Sequence, residues 1–314
     1  MSLADETKTE VWLALRADGA ANIPSTPTSG TAADPYDASS PTLFADRMNS
    51  FQKNTKIIHL GPGVFQTFGY VSTGLPVPNS WQPVSGQKII GAGMFATTLK
   101  VVGATNQSHL TCAICNDPLY SDPPFHGQFL DGFEASDFTV DCNMRGHIGA
   151  RVAIGAVSVL GRRIRLRRIR AIDYGTEAKN PPPLLECFVI TAGGGHPSLP
   201  ESSDCTMEDC LIEKPYRNGR YNNTCALIGG GGESGEGYTG YSRSCVARNC
   251  LINNEYQDNP VAISSITCAG TPPLGCGYRY DKNAARPIHG QLGGDHRRAG
   301  RRFGRYSVQR RLPG

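Results

Sequence analysis

The run Arg162-Arg163-Ile164-Arg165-Leu166-Arg167-Arg168-Ile169-Arg170 is the densest set of chemically capable side chains in this 314-residue chain. It alternates charge with apolar residues. If it is a strand, Ile164 and Leu166 face one way and Arg163, Arg165 and Arg167 the other. That makes a row of guanidiniums on the outer face, expected beside Asp141 and Asp173. A planar guanidinium binds both oxygens of a carboxylate at once, so an arginine row suits an acidic ligand. Two plainer readings stand beside that one: a solvated outer face, and a ladder of salt bridges with neighbouring acids.

The elements that would hold this row recur along the chain. Phe138-Thr139-Val140-Asp141-Cys142, Leu166 to Ile172, Met207-Glu208-Asp209-Cys210-Leu211-Ile212 and Ala247-Arg248-Asn249-Cys250-Leu251-Ile252 align on Phe138, Ile169, Cys210 and Cys250, at steps of 31, 41 and 40 residues. A fixed period with strand-like content marks a solenoid. A second apolar phrase precedes each first one: Gly155 to Leu160, Cys187-Phe188-Val189-Ile190, Cys225-Ala226-Leu227-Ile228 and Val261-Ala262-Ile263. These phrases are short, β-branched-rich and bounded by turn residues, as strands are. Loops between them vary in length, which stacked strands tolerate.

Before each anchor stands Asp137, Arg168, Asp209 or Asn249. Asp and Asn accept left-handed backbone, so this column reads as a turn ladder. Arg168 departs from it, and departures from a local rule are where function enters.

Upstream, Lys88-Ile89-Ile90-Gly91-Ala92-Gly93 followed by Thr97 to Val102 resembles the "I-x-G-x-G-x-x-x-T-x-L" phrase in the first coils of pectate-lyase-like proteins. Lys56 to Phe65 resembles the strand and turn that open those β-helices. The resemblance spans about residues 10 to 276. It is to a bacterial-type member of the right-handed parallel β-helix, pectin-lyase-like superfamily. That superfamily includes pectate and pectin lyases, polygalacturonases and phage tailspikes. The implied fold is all-β: a right-handed parallel β-helix with an N-terminal capping helix. Ser40 can cap that helix with Pro41 at its first position, and Phe44, Met48 and Phe51 share one face. The expected division is one domain over 1–276, with the capping helix at about 40–51 and coils at about 56–276.

The resemblance implies binding or cleavage of an acidic polysaccharide, at the cell surface or outside the cell. For a lyase it implies a basic residue that removes the proton α to a uronate carboxylate, placed on Arg165 or Arg167. It also implies a calcium ion, placed on Asp141 and Asp173. Arg163, Tyr238 and Tyr241 are the candidates for substrate binding; Trp81 and Tyr120 are further aromatics that could stack on sugars. The N-T-D, D-D and G-H-G phrases of polygalacturonases are missing, so a lyase is favoured over a glycoside hydrolase. His147 and His196 read as loop residues. Whether the chain is an enzyme stays open, with a non-catalytic structural or adhesive protein as the alternative.

Composition sets outer bounds. Charged residues are 18%, against 37 Gly and 22 Pro, which suits a loop-rich β protein. No apolar stretch is long enough to span a membrane as a helix. Met1 to Glu10 is polar and acidic, unlike a signal peptide. Four of the eleven cysteines form two columns, Cys205 with Cys245 and Cys210 with Cys250, each pair 40 residues apart. Stacked core packing explains them, since free Cys behaves as a small hydrophobe. Cys112-Ala113-Ile114-Cys115 is a weak metal or redox motif without a second pair.

Residues 277–314 carry nine Arg and one Lys against two Asp, while 1–276 is net −4. This segment abandons the repeat. It reads as out-of-frame translation of a truncated, non-functional fragment, as disorder, or as a basic arm, the last being the only route to nucleic acid.

Overall fold

The computed structural model describes residues 9–16, 29–51, 55–71, 81–104, 110–116, 129–147, 152–176, 187–188, 190–192, 202–214, 216, 224–228, 242–243, 246–253, 266–268, 277–278 and 289–290. These are mostly strands in parallel sheets, with few helices. The path of the first sheet runs Tyr36–Asp37, Glu10–Ala14, Ile57–Leu60, Lys88–Gly91, Glu134–Asp141, Arg165–Ile172, Thr206–Glu208 and Val246–Arg248. Gly63–Thr67, Thr97–Val101, Leu211–Glu213 and Leu251–Asn253 extend it alongside.

Register follows the aligned phrases. Phe138 pairs with Ile169, Arg170 with Leu211, and Leu211 with Leu251. That places Phe138, Ile169, Cys210 and Cys250 in one column, and all four are buried. The residue before each is left-handed: Asp137 has φ 69°, Arg168 48°, Asp209 54° and Asn249 51°. The left-handed residue turns the strand. It explains why inward positions jump by three across it, from Leu166 to Ile169 and from Met207 to Cys210, where a straight strand steps by two.

A second sheet runs parallel through Leu110–Cys115, Ala153–Val159 and Ile190–Ala192, with Tyr70–Val71 and Gly175–Thr176 antiparallel at its flanks. A third holds Leu130–Asp131, Gly161–Arg162, Ser202–Ser203 and Ser242–Arg243, all parallel. A fourth holds Cys187–Phe188, Thr224–Ile228 and Ile266–Cys268 in parallel, followed by antiparallel Gly277–Tyr278 and His289–Gly290. The strand expected at 261–263 lies outside the described residues. Beyond the two short strands, the basic segment also lies outside them.

The glycine phrase has a steric cause. A Cβ on Gly91 would sit 2.2 Å from the carbonyl oxygen of Asp137 on the adjoining strand. Gly93 has φ 151° and donates its N–H to that same carbonyl at 3.0 Å. Only glycine allows this close approach together with this backbone angle.

The helix forms at Pro41–Ser50 with Ser40 as N-cap, its Oγ accepting the Leu43 N–H at 3.2 Å. Phe44, Met48 and Phe51 are all buried. Each such side chain contributes about 1.5–3 kcal/mol when taken out of water. Phe44 packs against Phe65 at 6.0 Å and edge-on against Trp81 at 5.9 Å, closing the core beside the earliest strands. Among the described residues, no helix is long and apolar enough to cross a membrane.

Two features differ from expectation. Glu10–Ala14 is a full member of the first sheet, in register with Ile57–Leu60. Trp81 is not a surface aromatic: it is 1% exposed, and its indole N–H donates to Thr67 Oγ1 at 3.1 Å.

Candidate functional site

The outer face around Arg165–Ile172 carries the arginines, and geometry sorts them into two kinds. Arg168 is locked. Its Nε and one terminal nitrogen donate to the two oxygens of Asp137 at 2.5 and 2.7 Å. That pairing holds the Asp137 carboxyl below its ordinary pKa. Arg170 is also held, donating to Glu213 through Nε at 2.7 Å, with its side chain only 16% exposed.

Arg165 and Arg167 are different. Both project from the strand, with side chains 62% and 48% exposed. Their closest carboxylates are distant for an ion pair: Glu134 at 3.6 Å and Glu208 at 3.7 Å. Contacts this long and exposed are worth at most a fraction of a kcal/mol and exchange readily. Strand register sets up both pairs. Glu134 stands between Lys88 and Arg165, and Glu208 between Arg167 and Arg248. Each acid therefore has a cation on either side, Lys88 at 3.2 Å and Arg248 at 3.6 Å completing the two sets.

Arg163 does not belong to the strand alternation expected of it. It occupies a left-handed corner, φ 53°, between Gly161–Arg162 and Arg165–Ile172. From there it donates to Asp131 Oδ2 at 2.6 Å, with Arg162 3.8 Å from the same oxygen. Ile164 and Leu166 are buried as expected, so the alternation holds from 164 to 167 only.

Asp141 and Asp173 are each engaged already. Asp141 accepts the Asn143 N–H at 2.9 Å and has Lys100 Nζ at 3.8 Å. Asp173 pairs with the Arg145 guanidinium and accepts the Arg145 N–H at 3.0 Å. Burial nonetheless pushes the Asp173 carboxyl up from its ordinary value. Calcium takes six to eight oxygens in an open cage. Two carboxylates already held by cationic side chains do not make one, and among the described residues no group of three or more His, Cys, Asp or Glu is placed to hold a metal.

Tyr238, Tyr241, Tyr120 and His196 lie outside the described residues. His147 is buried; its Nε2 accepts the Ala104 N–H at 3.0 Å, which leaves Nδ1 to donate to the Asn143 carbonyl at 2.8 Å. One ring nitrogen thus serves its own turn and the other ties that turn to Ala104. Cys112, Cys115, Cys142, Cys205, Cys210 and Cys250 are buried reduced thiols. Those of Cys210 and Cys250 donate to the carbonyls of Glu208 and Arg248 at 3.4 and 3.3 Å, and burial pushes Cys210 up.

Nothing in the sequence marks Phe95, since a lone aromatic in a turn carries no pattern. It is 75% exposed, with the Arg170 guanidinium carbon 5.3 Å from its ring centroid.

No family model matches the chain, and no curated protein matches it. Among solved structures, it is similar to the A-module of the Azotobacter vinelandii mannuronan C-5 epimerase AlgE4. The identity is 10% and the TM-score 0.34, over 69% of this chain and 50% of that one. It is also similar to the AlgE6 A-module from the same organism, at 13% identity and TM-score 0.30, over 68% of this chain and 52% of that one. The chain thus spans about half the length of each module.

Proposed function

We propose that this chain is a right-handed parallel β-helix whose arginine face binds an acidic polysaccharide, with Arg165 and Arg167 as the principal contacts. The observation that carries the reading is the contrast on one strand. Arg168 and Arg170 are held by short bonds, whereas Arg165 and Arg167 are exposed and paired only at 3.6 and 3.7 Å. A polyuronate can take over such weak partners at little cost, since each guanidinium still has unused donors. The parallel, in-register strands and the glycine phrase support the β-helix reading. The expected extent, a domain over 1–276, is part of the same proposal.

A pectate-lyase-like activity is the finer form of this proposal, with Arg165 or Arg167 taking the proton α to the carboxylate. A guanidinium normally keeps its own proton in proteins, so carboxylate binding is the role its chemistry supports first. Arg163, at its corner, would extend the contact. A second reading has its own observation. The alternating cations and acids across Lys88, Glu134 and Arg165, and across Arg167, Glu208 and Arg248, suit a non-catalytic structural rod.

Affinity electrophoresis in polygalacturonate gels tests binding, and ultraviolet absorbance of unsaturated products tests elimination, with and without calcium. Retardation lost in Arg165→Ala/Arg167→Ala supports the binding reading. Retardation absent in the unaltered chain overturns it in favour of the rod. Product formation that survives both substitutions clears these two residues as the base.

A further inference from the structure

Phe95 sits in the turn between Lys88–Gly91 and Thr97–Val101. Single exposed apolar side chains are ordinary on protein surfaces. This one stands apart in how firmly its turn is held. Ala92 N–H donates to Thr97 Oγ1 at 2.8 Å, and Gly93 N–H to the Asp137 carbonyl at 3.0 Å. The N–H groups of Ala96 and Thr97 return to the Gly93 carbonyl at 3.0 and 3.1 Å. Thr139 Oγ1 donates to the Met94 carbonyl at 2.6 Å, and Gly63 N–H to the Ala96 carbonyl at 2.8 Å. The turn is therefore tied to itself and to the strands on both sides, and of its two large apolar side chains Met94 is half-buried while Phe95 is left in water.

A guanidinium lies against the ring. Register runs Thr98, Thr139, Arg170 across three adjacent strands, so the ring reaches over the sheet to meet Arg170. Arg170 is fixed in place by Glu213. Along the same strand, past the left-handed turn at Arg168, lie Arg167 and then Arg165, at most about 17 Å from Arg170 at the rise of an extended chain.

We propose that Phe95 is a sugar-stacking residue at one end of the arginine face. It seats the C–H face of one ring of an acidic polysaccharide, while the carboxylates of neighbouring uronates reach Arg167 and Arg165. This rests on the polysaccharide-binding reading above. A pyranose offers an apolar C–H face with a polar rim, which matches an exposed aromatic ring bordered by a fixed cation. A uronate adds the carboxylate that the neighbouring guanidiniums suit. A turn whose backbone is held in advance lowers the ordering cost of binding.

The test uses the full chain with polygalacturonate, alginate and dextran as probes, over a range of salt concentrations, and circular dichroism to confirm the fold. Phe95→Ala is expected to weaken polyuronate binding about tenfold at every salt concentration, and Phe95→Trp to restore it. Arg165→Ala/Arg167→Ala is expected instead to flatten the salt dependence. If the arginine variants lose binding while Phe95→Ala binds as well as the unaltered chain, the stacking role is wrong and the face remains. If the unaltered chain binds no polyuronate, both fall. Equal binding to dextran overturns the uronate assignment.

Discussion

Arg168 and Asp137 stand on adjacent strands, each with left-handed backbone, and are joined by two hydrogen bonds of 2.5 and 2.7 Å. An arginine in that conformation is costly, because its Cβ crowds the following carbonyl. The bidentate pair offsets the cost. Register adds its own part, since Phe138 must meet Ile169 for the core to close.

The pair makes stability depend on pH. Asp137 is held below 3.8, chiefly by its bonds from Arg168. The contribution is therefore complete above 3.8 and is lost as pH falls through the lower folded value. Arg168→Asn keeps a residue suited to the turn and removes the pair. The stability gap between the unaltered chain and Arg168→Asn, read from urea midpoints, should shrink on acidification below 3.8. Arg168→Ala should be less stable than Arg168→Asn by about 0.5–1 kcal/mol, because Ala has no affinity for the left-handed turn.

Asp173 runs the other way. Burial raises its pKa despite Arg145, so the folded state holds its proton more tightly than the unfolded chain. Stability attributable to this group is greatest below 3.8 and falls as pH rises through the folded value. Asp173→Asn keeps the left-handed turn, φ 50°, and an oxygen for the Arg145 N–H. It should leave stability at pH 7 unchanged or raised, with any gain gone below pH 3.8. Thermal melts at the two pH values check this.

Gly91→Ala should be among the most damaging single-methyl changes in the chain. Its Cβ would meet backbone, the Asp137 carbonyl oxygen, at 2.2 Å. A backbone atom cannot swing aside as a side chain can. The expected loss is about 2–3 kcal/mol, read as a shift in urea midpoint at constant slope.

The buried thiols should be silent in the folded protein. Cys112, Cys115, Cys142, Cys205, Cys210 and Cys250 are all inside. A thiol-specific reagent should therefore titrate at most five of the eleven cysteines natively and all eleven after denaturation with reductant. Rapid native labelling of Cys210 or Cys250, found by peptide mapping, would contradict their place in the core.

Where two constraints met in one residue, sequence and structure agree. The column of Asp137, Asp209 and Asn249 is legible because the same residue types recur at a fixed step before an apolar anchor. Ser40, Pro41 and the 44, 48, 51 stripe mark the helix for the same reason. Arg163 breaks the alternation because it stands at a left-handed corner with no Gly, Asn or Asp at that position to announce it. Trp81 misled because an aromatic in an irregular segment looks the same buried or exposed. Phe95 shows no sign in sequence, since its partner Arg170 lies 75 residues away and only the stacking of strands brings them together.

The left-handed column has a consequence for how such a chain can change. Steps of 31, 41 and 40 residues all return to the same backbone angle and the same inward neighbour. Length differences are absorbed between the strands and never reach them. The outer face is thus a ruler of constant pitch, graduated by strand spacing. Its markings, now mostly arginine and glutamate, can be rewritten one position at a time without disturbing the interior that spaces them.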